Sequence, residues 1–334
     1  MSRRDDDHER FERPRRRTRP RTKDRPDYGE AEVGRVVTID RGRYTLLVGD
    51  GEQERAVTAM KSRSIGRKGV VVGDLVKVVG DTSGETDTLA RIAEVEDRAT
   101  VLRRTADDTD PVERVIVANA DQLVVVTALA DPEPRPRMID RCLVAAFEAG
   151  MKPLVCLTKS DLAPADDLLD ALRPLAVEVL VTRVLPGGGI EGLDDVRAAL
   201  EGHTSVLVGH SGVGKSTLVN DLVPEAHRST SFVNAVTGRG RHTSTSAIAL
   251  RLPGDGWIVD TPGVRSFGLA HVDPDRLVDA FEDLADVVSG CSRGCAHTAD
   301  DPECALDTAV ADGTLDPARV DSFRRLLASL TAPY

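Results

Sequence analysis

The stretch TSVLVGHSGVGKST, residues 204–217, decides how the rest of the chain is read. TSVLV has strand character and runs into Gly209, His210, Ser211, Gly212, Val213, Gly214, Lys215, Ser216 and Thr217, which fit G-x-x-x-x-G-K-[ST]; LVNDL then begins like a helix. Strand, glycine loop and helix, in that order, make a phosphate loop. The glycines let consecutive backbone N–H groups wrap phosphate oxygens, Lys215 can reach the β and γ oxygens, and the Ser216 hydroxyl can ligate magnesium.

Working outward toward the C-terminus, Asp260-Thr261-Pro262-Gly263 closes the apolar run GWIVD. A carboxylate at that strand end can hold the magnesium shell, and the Gly263 N–H can meet the γ-phosphate. Between the two motifs lies TGRGRHTSTS (237–246), polar and without apolar periodicity, as a nucleotide-sensing switch would be. One of Thr243, Ser244 or Thr245 is expected to complete the magnesium site, with Thr243 first. The position after D-x-x-G, where many GTPases carry a water-orienting Gln, is Val264, whose apolar side chain cannot orient water. His242 is the first candidate for that task, so the expected catalytic set is Lys215, His242 and Thr243.

Toward the N-terminus, Thr158-Lys159-Ser160-Asp161 follows the strand-like KPLVCL. The Asp161 carboxylate can accept from guanine N1–H and the 2-amino group, a donor pair that adenine lacks. The Lys159 stem can cover the base. Here the base reader precedes the phosphate loop, whereas in common small GTPases it follows the D-x-x-G strand.

Around these motifs, strands alternate with helices from about residue 112, the pattern of a parallel sheet covered on both faces. DQLVVVTAL reads as a strand; MIDRCLVAAFEAG reads as a helix, with Ile139, Leu143 and Phe147 at four-residue spacing and Gly150 at its end. Residues 31–98 instead give five short Val-rich segments suited to a small closed barrel: AEVGRVVTID, RYTLLVGDG, ERAVTAM, GVVVGDLVKVVGD and LARIAEVEDR. The barrel offers Tyr44 for base stacking, and a loop with Lys61, Arg63, Arg67 and Lys68 that is either simply solvated or an RNA contact.

Five cysteines are present, and Cys291, Cys295 and Cys304 cluster with His297. Three thiolates and an imidazole make a tetrahedral zinc set with no open position, hence a structural site. Cys142 and Cys156 lie among apolar residues and read as core thiols. The net charge of −11 argues against indiscriminate coating of nucleic acid. Residues 1–26 nevertheless hold eleven Lys and Arg against six Asp and Glu, an arm that either solubilises or tracks a phosphate backbone. No apolar run reaches the ~18 residues of a membrane span, and the N-terminus lacks the apolar stretch of a secretory signal, so a cytoplasmic location is expected.

The order TKSD, GHSGVGKST, GRGRHTST, DTPG and then the Cys/His cluster, together with VANADQLVVV and IDRCLVAAFEAG, resembles the circularly permuted, ribosome small-subunit-dependent GTPases of the RsgA or YjeQ family over roughly residues 31–310. The resemblance implies a multidomain chain: a basic tail (1–30), an OB-type barrel (31–105), a permuted α/β GTPase domain (106–272) and a C-terminal zinc-binding helical module (273–334). It also implies GTP hydrolysis in late maturation of the 30S subunit, with GTP/GDP, Mg²⁺ and one Zn²⁺ as cofactors, the 30S subunit and its rRNA as partners, no membrane partner and a monomeric state. Three features depart from the family pattern: its base reader opens with Asn where this chain has Thr158, the Ser-Ala-like segment that contacts the guanine carbonyl in related proteins would fall near Thr182-Arg183, and its metal spacing is x4, x, x5 where this chain has x3, x, x6. A phosphate-loop ATPase or kinase and a non-catalytic RNA-binding protein are the rival classes.

Overall fold

Alternating small and branched apolar residues close the first five strands on themselves. The computed structural model describes residues 28–66, 69–104, 113–224, 247–261, 269, 271–301 and 303–331. Strands β1 (Glu32–Asp40), β2 (Arg43–Val48), β3 (Arg55–Lys61), β4 (Leu75–Gly80) and β5 (Ala90–Val95) pair in the order β1-β2-β3-β5-β4, and β4 returns to β1. Every inward position is apolar, with Val36, Leu46, Val57, Val76 and Ile92 fully buried, as the two-residue period of a barrel wall demands. Two expectations change here. Tyr44 lies inside the barrel at 7% exposure and cannot stack on a base. GVVVGDLVKVVGD is strand only from Leu75, because the Asp74 carboxylate accepts from Val71 N at 2.8 Å and from Arg98, holding a turn at Gly73-Asp74.

A hairpin, β6 (Val101–Arg104) and β7 (Arg114–Ala118), leads into the second layer. There β8 (Gln122–Ala128), α1 (Pro136–Glu148), β9 (Lys152–Thr158), α2 (Asp166–Leu172) and β10 (Glu178–Val181) alternate. The small hairpin β11 (Arg183–Val184) and β12 (Ile190–Glu191) follows, then α3 (Leu193–Leu200), β13 (Thr204–Val208), α4 (Lys215–Leu222), β14 (Ile248–Arg251) and β15 (Trp257–Asp260). The sheet order is β10-β9-β8-β13-β15-β14, parallel except for β14, which meets the barrel through the pair Thr38–Ile248. Buried on both faces, β8 is apolar along most of its length and every residue of it is buried.

Helices α5 (Pro274–Leu277), α6 (Glu282–Val288), α7 (Ala305–Ala311) and α8 (Pro317–Thr331) form the C-terminal part. It shares a core with the sheet. Phe281 packs edge-on against Phe147 of α1 and Phe323 of α8 at 5.2 and 5.4 Å, and a fully buried side chain of this size stabilises by ~1.5–3 kcal/mol. Arg141 of α1 donates to Ser329 O at 2.7 Å, and Arg325 donates to the buried Asp140. Cys142 and Cys156 sit in the core as expected, their thiols pushed up by burial to about 12 and about 11. Among the described residues no helix is long and apolar enough to cross a membrane.

Candidate nucleotide site and metal centre

Parallel pairing in register brings the distant motifs to one rim of the sheet. Thr158 pairs with Ala128, Val208 with Val125, and Leu207 with Asp260, so the Thr158–Asp161 turn, the glycine loop and the acidic strand end all emerge at the C-terminal ends of neighbouring strands. Crevices at such ends are where open α/β sheets bind ligands.

Gly209 is required by close approach, since a Cβ there would lie 2.4 Å from Val126 O. Gly214 has φ +90° and stands directly before α4, so the loop turns sharply and aims the helix N-terminus at the rim. His210, Ser211, Gly212 and Val213 form the loop between them, and Ser216 and Thr217 are exposed on the first turn of α4. Lys215 Nζ makes an ion pair with Asp260 Oδ1, so the loop lysine and the carboxylate at the end of β15 are neighbours, an arrangement that suits a metal-nucleotide. Beside Asp260, Thr261 donates to Leu207 O at 2.9 Å and fixes the strand end against β13.

The Thr158–Asp161 turn is tied down on both sides. Thr158 Oγ1 donates to Val213 O, inside the phosphate loop, at 2.5 Å. Lys159, in a left-handed conformation at φ +60°, donates from Nζ to Asp131 O. Ser160 N donates to Thr182 O at 3.3 Å, and Thr182 N to Leu157 O at 2.7 Å. Asp161 is left exposed, free to meet a base.

Arg135 is a residue that the sequence reading passed over. Its Nη1 lies 3.4 Å from His210 Nε2, and the two line a cavity of about 210 Å³ with Thr127, Pro132, Glu133, Met138, Ser211 and Val213. No motif marks it; the only signal is its place in PEPRPR, between a strand end and a helix start. His242, Thr243 and the rest of the switch, Gly263 and Val264, the basic loop residues Arg67 and Lys68, and tail residues 1–27 lie outside the described residues.

The second cluster is local. Cys291 and Cys295 flank a turn after α6, His297 takes φ +58°, and Cys304 caps α7. Their ligand atoms all lie within 4.8 Å of one another: His297 Nδ1 is 3.6, 3.4 and 3.9 Å from the Sγ of Cys291, Cys295 and Cys304, and Cys291 Sγ is 4.0 Å from Cys304 Sγ. A tetrahedron with bonds of ~2.0–2.3 Å has edges of about 3.3–3.8 Å, so the donor types suit zinc and the atoms stand within about 1 Å of its spacing. Outer contacts hold them in place. Ala305 N donates to Cys291 Sγ at 3.3 Å, and Arg324 donates to His297 O at 3.1 Å while gripping Asp307 with both terminal nitrogens.

Comparison with known proteins agrees with this geometry. The family model RsgA GTPase matches residues 95–270. A protein of Pseudomonas aeruginosa (strain LESB58) named small ribosomal subunit biogenesis GTPase RsgA is 41% identical over 222 residues, covering 64% of this chain and 64% of its own length. The chain thus spans just under two thirds of that relative. A protein of the same name from Pseudomonas fluorescens (strain SBW25) is 36% identical over 311 residues, 91% of this chain and 87% of its own. Among solved structures, YjeQ from Thermotoga maritima superposes with a TM-score of 0.66 at 25% identity, over 91% of this chain and 99% of that one. YloQ, described as a circularly permuted GTPase, shares the fold with a TM-score of 0.63 at 24% identity, over 90% and 95%.

Proposed function

The chain belongs to the RsgA GTPase family, and from that premise we propose that it hydrolyses GTP in the maturation of the small ribosomal subunit. The observation that carries the reading is the meeting of Thr158–Asp161, the 209–217 loop and Asp260 on one rim of the parallel sheet, although their chain order is permuted. In this reading Asp161 takes the guanine N1–H and 2-amino group, and Lys159 covers the base. The backbone from His210 to Thr217 and the Lys215 ammonium hold the phosphates, and Gly263 offers its N–H to the γ-phosphate. Ser216, Asp260 and Thr243 hold magnesium, which supplies charge neutralisation at the β and γ oxygens. Cys291, Cys295, His297 and Cys304 hold one structural zinc. The partners are the 30S subunit and its rRNA, met by the protein as a cytoplasmic monomer.

Val264 leaves the attacking water without an orienting side chain next to the D-x-x-G motif, so turnover by the isolated protein is slow and the subunit completes the site, with His242 orienting the water. GTP turnover with and without purified small subunits tests the proposal: stimulation is expected, and equal rates would sink it. At saturating 30S, His242→Ala should lower stimulated turnover by about 10²- to 10⁴-fold and leave GTP affinity within a few-fold. Subunit binding measured separately under a non-hydrolysable analogue distinguishes a catalytic from a docking role. A variant that binds subunits and turns over at the parent rate removes His242 from the mechanism.

A further inference from the structure

We infer that Thr158 makes no contact with guanine N7 and serves instead as an internal tie between the base-reading turn and the phosphate loop. The inference rests on the guanine-nucleotide reading above. Its ground is a count of protons.

A threonine hydroxyl has one proton to donate. The Thr158 side chain is 6% exposed, at the end of β9, and two backbone carbonyls compete for that proton: Val213 O at 2.5 Å and Thr127 O at 3.4 Å. Carbonyls only accept, so the proton is committed inside the protein, and the shorter contact assigns it to the phosphate loop. Guanine's other polar edge presents N7 and O6, both acceptors. A hydroxyl that has given away its proton has nothing to offer either of them. A Cβ added at Gly214 would lie 3.7 Å from Thr158 Oγ1, so the hydroxyl stands beside that glycine in the phosphate loop.

The tie has a mechanical consequence. It joins the turn bearing Asp161 to the loop bearing Lys215, so base and phosphate subsites are held at a fixed separation. Thr158 is thus a positioning residue. An Asn at this position would differ in one countable respect: its amide carries two protons, one for Val213 O and one left for N7.

The test compares GTP with 7-deaza-GTP, in which C–H replaces N7. Equilibrium affinities of the full-length protein for the two nucleotides are expected to agree within about twofold. Thr158→Asn should raise the preference for GTP over 7-deaza-GTP to roughly five- to tenfold, the value of one added neutral hydrogen bond. Thr158→Val should weaken both nucleotides by a common factor of about five to ten, and Thr158→Ser should restore both, since it keeps the single proton. A merely structural role would leave the Asn variant's ratio at the parent value. The inference is overturned if the parent protein discriminates against 7-deaza-GTP by fivefold or more while preferring GTP to ATP. A protein that binds ATP as well as GTP contradicts the guanine reading itself, and that outcome is read from a different pair of nucleotides.

Discussion

The rim of the sheet and the Cys/His cluster both gather reactive side chains, but they do so by opposite means. Thr158, Lys215 and Asp260 come from segments up to about a hundred residues apart and meet because β9, β8, β13 and β15 pair in one register. The four side chains that could hold a metal lie within 14 consecutive residues, on turns and the cap of a short helix. In the first region a rigid scaffold positions the chemistry, so a side chain can be lost without loss of the fold. In the second, under the zinc reading proposed above, the bound ion would hold the segment, and chemistry and stability would be the same thing.

The sharpest way to break this contrast is Lys215→Ala. Turnover should fall by about 10²- to 10³-fold, as for loss of one preorganised donor to a developing charge. The melting midpoint should move by no more than about 3 °C, because losing this part-buried pair, with Lys215 11% and Asp260 21% exposed, should cost about 1–2 kcal/mol in a chain of this length. A much larger thermal shift would make the rim, too, dependent on its functional side chains.

Cys304→Ala should give the converse. Cys304 is fully buried and belongs to the core that joins α6, α7 and α8 to the sheet. Losing a ligand there should cost on the order of 3 kcal/mol, which lowers the midpoint by roughly 4 °C in a protein of this size. Bound zinc, expected at one per chain by elemental analysis, should be lost. GTP affinity should remain within a few-fold, measured at a temperature where the variant is folded. Parent-like stability, with no zinc in protein purified without chelators, would remove the metal from the account.

The smallest effect sharpens the comparison inside the second region. The Arg324 side chain donates to Asp307 and holds its carboxyl below the usual carboxylate range, while also donating to His297 O. A depressed folded pKa contributes stability that is present above the unfolded value near ~3.9 and is lost as pH falls through the folded value. Asp307→Asn should therefore melt about 1 °C below the parent near neutral pH, since the Asp307 side chain is 50% exposed while Arg324 is 14% exposed. The two curves should converge as the pH drops below about 4. A gap independent of pH would show that the Asp307 charge plays no part in bracing the cluster.

Reading the sequence went furthest where function depends on short spacing. The phosphate loop, the TKSD turn and the Cys/His quartet each carry their constraint within a few residues, and the five Val-rich segments announced a barrel because inward and outward positions alternate. Tyr44 shows the limit: its place among alternating residues left the aromatic equally compatible with a stacking surface and with the barrel interior, and only closure of β1 against β4 decided for the interior. The run GVVVGDLVKVVGD failed for a related reason, since the bonds from Arg98 that help make Asp74 a turn come from 24 residues away. Arg135 was illegible because nothing in PEPRPR distinguishes a solvated arginine from one beside His210.

By itself, then, the sequence determined the local chemistry: which backbone could wrap a phosphate, which strand end carried a carboxylate, and which four side chains could hold a metal. These follow from residue type and near-neighbour spacing. The tertiary structure decided relations between distant segments. It commits the single proton of Thr158 to the phosphate loop, sets Lys215 against Asp260, and lays α8 on α1 through Phe281 and the Asp140–Arg325 pair. The physical reason is that a hydrogen bond or a ring contact acts over a few ångströms of space, and a strand register must be fixed before residues 55 or 185 positions apart come within that reach.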